Sequence, residues 1–150
     1  MNESAAPVVR VAVGIIRDSA GAVLIARRPD RAHQGGLWEF PGGKMEGSET
    51  AEAALRRELR EELGIDVQSA EPWLQVRHAY TDKTVLLDVW RVTAYRGEPH
   101  GREGQPLLWV RPTDMETLAF PAADAPIVAR LVERDQIAQQ ASSKATSAVF

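Results

Sequence analysis

The 150-residue chain contains no cysteine, which excludes disulfides and thiolate metal sites and fits a reducing compartment. No apolar run reaches the roughly 18 residues of a membrane-spanning helix. Met1 to Val8 has neither a basic region nor a long hydrophobic stretch, so it does not read as a secretory signal. The expected compartment is the cytoplasm. An excess of positive charge is also missing, with 18 Lys and Arg against 21 Asp and Glu, a net charge of −3, and the basic residues scattered. Binding to a nucleic acid polymer needs a basic stripe, and none is present. A free nucleotide stays open as a ligand, because a bound metal can balance its charge.

What remains is ordinary for one soluble globular domain, with 44% hydrophobic and 26% charged residues. Val9 to Arg17 and Ala22 to Ala26 are β-rich runs around Asp18-Ser19-Ala20-Gly21, a pattern that predicts a hairpin. Leu37 to Phe40 predicts a short strand that Pro41-Gly42-Gly43 breaks. A helix should open at Ser48 or Thr50 and stop at Gly64. Strands are expected over Trp73 to His78, Thr84 to Thr93 and Leu107 to Val110, and a second amphipathic helix over Ala123 to Gln139. Trp73, Trp90 and Trp109 read as core residues. Residues 1–8 and the aperiodic Ala/Ser-rich residues 140–150 are expected to be disordered, leaving one domain over 9–139. Hairpins without regular βαβ alternation favour a mixed β-sheet flanked by helices, an α/β fold.

The first helix carries the chemistry. With Leu55 at zero on a wheel of roughly 100° per residue, Leu59 and Leu63 fall at about +40° and +80°, and Ala51 at about −40°. Glu62 falls near −20°, inside this apolar stripe, while Glu58 and Glu61 line its edge at about −60° and −120°. Arg56, Arg57 and Arg60 lie roughly opposite. Glutamates spaced i, i+3 and i+4 are neighbours that repel, and burying one alone costs several kcal/mol. A bound cation turns that liability into a site, and hard oxygen donors without Cys or paired His suit Mg²⁺ or Mn²⁺. His33, His78 and His100 have no metal-ligand spacing. On its own, a Glu-rich helix is more simply a solvated acidic face.

The flanking sequence reverses that preference. Gly43, Glu49, Arg57, Glu58, Leu59, Glu61, Glu62, Gly64 and Ile65 stand at fixed spacing across 23 positions, and the stretch resembles the Nudix box without a departure. Pro41-Gly42-Gly43-Lys44 is not a P-loop, since Met45 follows the lysine in place of Ser or Thr. The resemblance extends over about Val9 to Leu131, and Val11 to Arg17, Trp38 to Lys44 and Gly101 to Pro106 look like the MutT branch.

That resemblance implies an α/β/α sandwich and Mg²⁺-dependent hydrolysis of a nucleoside triphosphate, chiefly 8-oxo-dGTP, to monophosphate and pyrophosphate. It assigns the ions to Glu58, Glu61 and Glu62, a backbone carbonyl of Gly42 or Gly43, and Glu103 outside the box. Either Glu58 or Glu103 would ready the attacking water. Arg57 and Glu49 would brace the loop against the helix. Arg28 and Phe40 match positions that line the base pocket, and Lys83 stands where this branch has an arginine. Asp124 replaces the usual Asn. An ionised Asp only accepts hydrogen bonds, so it suits guanine N1–H and N2–H, or the cytosine amine, and repels a carbonyl. The related CTP and 5-methyl-dCTP pyrophosphohydrolases also carry Asp there, and a helix N-cap is the plain structural reading of the residue. The expected partner is a small nucleotide, with no polymer and no membrane, and the chain is a monomer or weak homodimer. A Nudix-fold domain that senses nucleotides without cleaving them is the rival of another class. Such a domain is expected to lose box carboxylates, and all are present here.

Overall fold

The computed structural model describes residues 7–30 and 35–148, with side chains through Ser142. The strands are β1 (Val8–Ile15), β2 (Val23–Arg27), β3 (Trp38–Glu39), β4 (Gly42–Lys44), β5 (Asp66–Ala79), β6 (Thr84–Arg96) and β7 (Leu107–Val110). Helix α1 (Ala51–Leu63) follows β4, and α2 (Ala125–Ala148) ends the described chain. A mixed four-stranded sheet has the order β4-β1-β6-β5, with β1 parallel to β6 and the other pairings antiparallel. An antiparallel three-stranded sheet has the order β3-β2-β7.

Strand alternation divides the apolar residues between two cores. Ala12 and Ile16 of β1 and its exit, with Leu24 of β2, pack against Leu55, Leu59 and Leu63 of α1. Val13 and Ile15, with Val23 and Ile25, face Ile127 and Leu131 of α2. The architecture is therefore a mixed sheet flanked by helices. Each of the three α1 leucines is wholly buried, a contribution of roughly 1.5–3 kcal/mol apiece.

Helix α1 begins at Thr50, whose hydroxyl accepts from the Ala53 N–H at 3.1 Å. It ends at Gly64, which takes the left-handed conformation at φ 70° and returns its N–H to the Arg60 carbonyl. Both ends agree with the sequence expectation.

Several elements differ from it. The predicted hairpin survives only around its turn, where Arg17 bridges Val23, the Asp18 N–H meets the Ala22 carbonyl and the Leu24 N–H meets the Ile16 carbonyl. Beyond that point β1 and β2 join different sheets, because each finds a partner distant in sequence. Gly42 and Gly43 do not break a strand. They form β4, pairing with Val13 and Ala12, at φ 148° for Gly42, where a Cβ would lie 2.0 Å from the Ala12 carbonyl oxygen. β5 starts at Asp66, before the Trp73 expected, and its polar first half is held by β6 through register shifts next to Ser69 and Pro72. α2 continues past Gln139 to Ala148, so the residues expected to be a disordered tail are helical up to that point. Ala-rich sequence without Gly or Pro has high helix propensity even where no apolar stripe marks it. Trp109 is 37% exposed and is not core. Val8, expected to be disordered, begins β1 by pairing with Thr84, whereas the expected disorder over 1–6 and at 149–150, and His33, lie outside the described residues.

Candidate active site

The site is assembled where α1 crosses β4. The Gly42 N–H donates to a Glu62 carboxylate oxygen at 3.2 Å. A Cβ on Gly43 would come within 2.3–2.6 Å of the Glu58 carboxyl, so the bare glycine is what lets that side chain lie against the strand. Gly43→Ala is expected to displace the Glu58 carboxyl without unfolding the protein, since the obstruction is the end of a flexible side chain. A turnover loss of about tenfold, with an unshifted melting temperature, is the expected readout. Undiminished turnover would contradict it.

Arg57 sits at the hub of the acidic cluster. Its guanidinium grips Glu49 through two bonds of 2.7 and 2.9 Å, reaches Glu58 at 2.9 Å and Glu61 at 3.3 Å, and donates to the Lys44 carbonyl at 3.0 Å. On the wheel Arg57 falls roughly 40° from Glu61 and roughly 100° from Glu58, and its long side chain spans both while reaching off the helix to Glu49 and the Lys44 carbonyl. These bonds tie the residues after β4 to α1. They hold the Glu49 carboxyl down to about 2, chiefly through Arg57 and then through the Glu46 backbone N–H.

The three glutamates differ in environment. Glu61 is exposed and does not line the main cavity. The Glu58 side chain is only 15% exposed; burial raises its pKa, Arg57 opposes the rise, and Glu61 and Glu103 add to it. Glu62, the residue placed inside the apolar stripe, is pushed up to about 8, first by burial and then by Glu58, Glu39 and Glu103, against the Gly42 hydrogen bond. Glu103 is exposed in the loop before β7 and lines an adjoining cavity with Glu62, Glu39 and Arg28. Among the described residues no three of these groups form a ready ligand set, since Arg57 holds Glu58 and Glu61. The donor chemistry nevertheless fits a hard divalent cation. Carboxylates that burial and mutual repulsion discourage from ionising are relieved by a dication.

From these carboxylates a cavity of about 470 Å³ runs between the sheet and the start of α2. It brings together Gly42, Gly43, Glu58, Glu62, Arg28, Phe40, Lys83 and Asp124, each singled out from sequence. Phe40 stacks on Phe120 with ring centroids 5.4 Å apart and is 5% exposed, so it both packs the core and walls the cavity. Arg28 pairs with Glu39 at 2.8 Å. Asp124 is 8% exposed, and no hydrogen bond among the described residues ties its carboxyl to the first turn of α2. Burial, with Glu39 adding and Arg28 opposing, raises its pKa to about 7.

Two wall residues escaped the sequence reading. Glu39 lies in the stretch Trp38 to Lys44, and an acidic side chain next to Phe40 in a short strand was the available signal. Tyr80, whose hydroxyl accepts from the Ala123 N–H at 3.1 Å, follows β5 with no local pattern to mark it.

The chain is similar to known proteins in sequence and fold. The NUDIX domain profile matches residues 12–130. The chain is 40% identical over 122 residues to the 8-oxo-dGTP diphosphatase of Escherichia coli, covering 81% of this chain and 95% of that one. It is 41% identical over 115 residues to the CTP pyrophosphohydrolase of the same organism, covering 77% and 84%. A solved MutT structure, from work on Aliivibrio salmonicida and Vibrio cholerae, superposes with a TM-score of 0.74 at 38% identity and covers 85% of this chain and 98% of that one. With the glycine strand, the braced helix and the carboxylate face all in place, the chain belongs to the Nudix hydrolases.

Proposed function

We propose that the protein hydrolyses 8-oxo-dGTP to 8-oxo-dGMP and pyrophosphate, with Mg²⁺ as cofactor and Mn²⁺ as a substitute, and so removes an oxidised precursor before DNA synthesis. One observation carries the reading: a single cavity joins the buried carboxylates of α1 to Arg28, Phe40, Lys83 and Asp124. Glu58, Glu61 and Glu62 would hold the metal, with a carbonyl of Gly42 or Gly43 and with Glu103. When bound, the metal supplies charge neutralisation of the phosphates and a more acidic water. Glu58 or Glu103 orients that water and takes its proton. Lys83 and Arg28 offer positive charge to the phosphates and sugar, and Phe40 packs on the base. The intact carboxylate set argues for catalysis over sensing. A compact soluble enzyme acting on free nucleotides in the cytoplasm, as a monomer or weak homodimer, completes the proposal.

Asp124 favours a second reading, cleavage of CTP or 5-methyl-dCTP. The 41% identity to a CTP pyrophosphohydrolase lies beside the 40% to an 8-oxo-dGTP diphosphatase. Pyrophosphate release from 8-oxo-dGTP, dGTP, CTP and 5-methyl-dCTP in Mg²⁺ separates the two. The main proposal expects kcat/KM for 8-oxo-dGTP to exceed that for dGTP by about 100-fold or more, a margin of roughly 3 kcal/mol. Equal rates on those two substrates would defeat it, and a clear lead for a cytidine nucleotide would establish the second reading.

A further inference from the structure

A second cavity lies farther along the same face of β1. Val9, Val11 and Val13 line the first cavity, whereas Ile15 and Arg17, two and four positions on, line a separate one of about 240 Å³. The two share no lining residue. Trp73 of β5, Arg91 of β6 and Arg134 and Asp135 of α2 form the other walls.

Three arginines therefore line one cavity in which Asp135 is the one carboxylate. Arg17 donates to the Gly21 carbonyl at 2.9 Å and reaches Asp135 only at 3.9 Å. Arg91 contacts Glu71 at 3.4 Å through one terminal nitrogen, while its Nε–H is buried and has no hydrogen-bond partner. Arg134 forms no ion pair among the described residues. Burial disfavours the Arg17 charge, Asp135 offsets this, and Arg134 and Arg91 act on it as like charges. Three like charges from three parts of the chain line one cavity against the single carboxylate of Asp135, an excess of positive charge that an anion offsets.

We propose that this cavity binds a small phosphate anion, inorganic phosphate or diphosphate, between Arg17, Arg91 and Arg134. Guanidinium forks match phosphate oxygens in charge and geometry, and three forks from three separate parts of the chain suit an anion with several oxygens better than a carboxylate. The volume, about 240 Å³, falls below the roughly 300 Å³ where sites for drug-sized ligands begin, which favours a small anion over a whole nucleoside triphosphate. The site goes beyond the proposed hydrolysis and needs no part of its machinery.

The test is NMR on the full chain with EDTA present, following the arginine Nε–H signals and the Trp73 indole. Sodium phosphate and sodium pyrophosphate are titrated separately against sodium chloride of equal ionic strength. Saturable shifts of Arg91 Nε–H and Trp73 are expected with one or both anions, and the tighter one fixes the size of the natural ligand. Arg134→Ala, on an exposed helical position, should weaken this binding about tenfold or more while leaving hydrolysis unchanged. Lys83→Ala should leave the two signals' titration unaltered. Shifts that chloride reproduces, a non-saturating response, or equal affinity in Arg134→Ala would each overturn the site. Arg17→Gln gives the same reading from another wall, with circular dichroism confirming that either variant is folded.

Discussion

Glu58→Gln is expected to lower turnover about 10³-fold at saturating Mg²⁺ while leaving the fold intact. The amide keeps the shape of the carboxyl and an oxygen that can still accept from the Arg57 guanidinium, at 2.9 Å in the native chain. What it loses is the negative charge, and with it both a metal ligand and a proton acceptor. Stability should not fall, because burial already disfavours the Glu58 charge and Glu61 and Glu103 repel it. The change therefore separates catalysis from folding: kcat drops while the melting temperature holds or rises. Calorimetric titration with Mg²⁺ or Mn²⁺ should show weaker binding in the same variant. Turnover within a few fold of the native enzyme would remove Glu58 from the proposed mechanism and leave Glu103 as the group that readies water.

The contrast between Glu58 and Glu103 also shows what sequence can resolve. Periodicity and caps placed α1 between Ser48 or Thr50 and Gly64, and the structure opens it at Thr50, since a helix announces its ends locally and its apolar stripe every third or fourth residue. The same wheel put Glu62 inside the stripe, and in the fold it is the glutamate most disfavoured from ionising. The pairing of Arg57 with Glu61 follows from their i, i+4 spacing, but its reach to Glu49 and the Lys44 carbonyl is not legible in the helix itself, because those partners lie outside it. Gly42 and Gly43 read as breakers for a similar reason. Their strand exists only by pairing with β1, and nothing local signals that a carboxyl must approach the backbone there. Glu39 and Tyr80 enter the cavity wall through long-range packing that no spacing encodes. The early start of β5 belongs with these, since polar residues around Ser69 and Pro72 are strand only because β6 lies beside them.

Asp124→Asn is expected to change both stability and base preference, each in a pH-dependent way. Folding raises the Asp124 pKa from 3.8 to about 7, mainly by burial. Between those values the folded chain binds more protons than the unfolded one, so this group's contribution to stability falls as pH rises through the window and levels off above about 7. Asparagine never ionises. The variant should match the native chain near pH 4 and exceed it at pH 8.5 by on the order of 2–4 kcal/mol, or about 5–10 °C in melting temperature. At the base, a protonated Asp124 can donate to a carbonyl oxygen, whereas the ionised form only accepts and repels it. The native preference for 8-oxo-dGTP over CTP should accordingly decline from pH 6 to pH 8.5, while that of Asp124→Asn stays flat. At the higher pH the variant should favour the oxidised purine by a further 10- to 100-fold, since exchanging a buried repulsion for a hydrogen bond is worth about 1–3 kcal/mol. A kcat/KM ratio with the same value and the same pH profile in both proteins would show that Asp124 does not read the base. Melting curves that diverge with rising pH would in that case still report its burial.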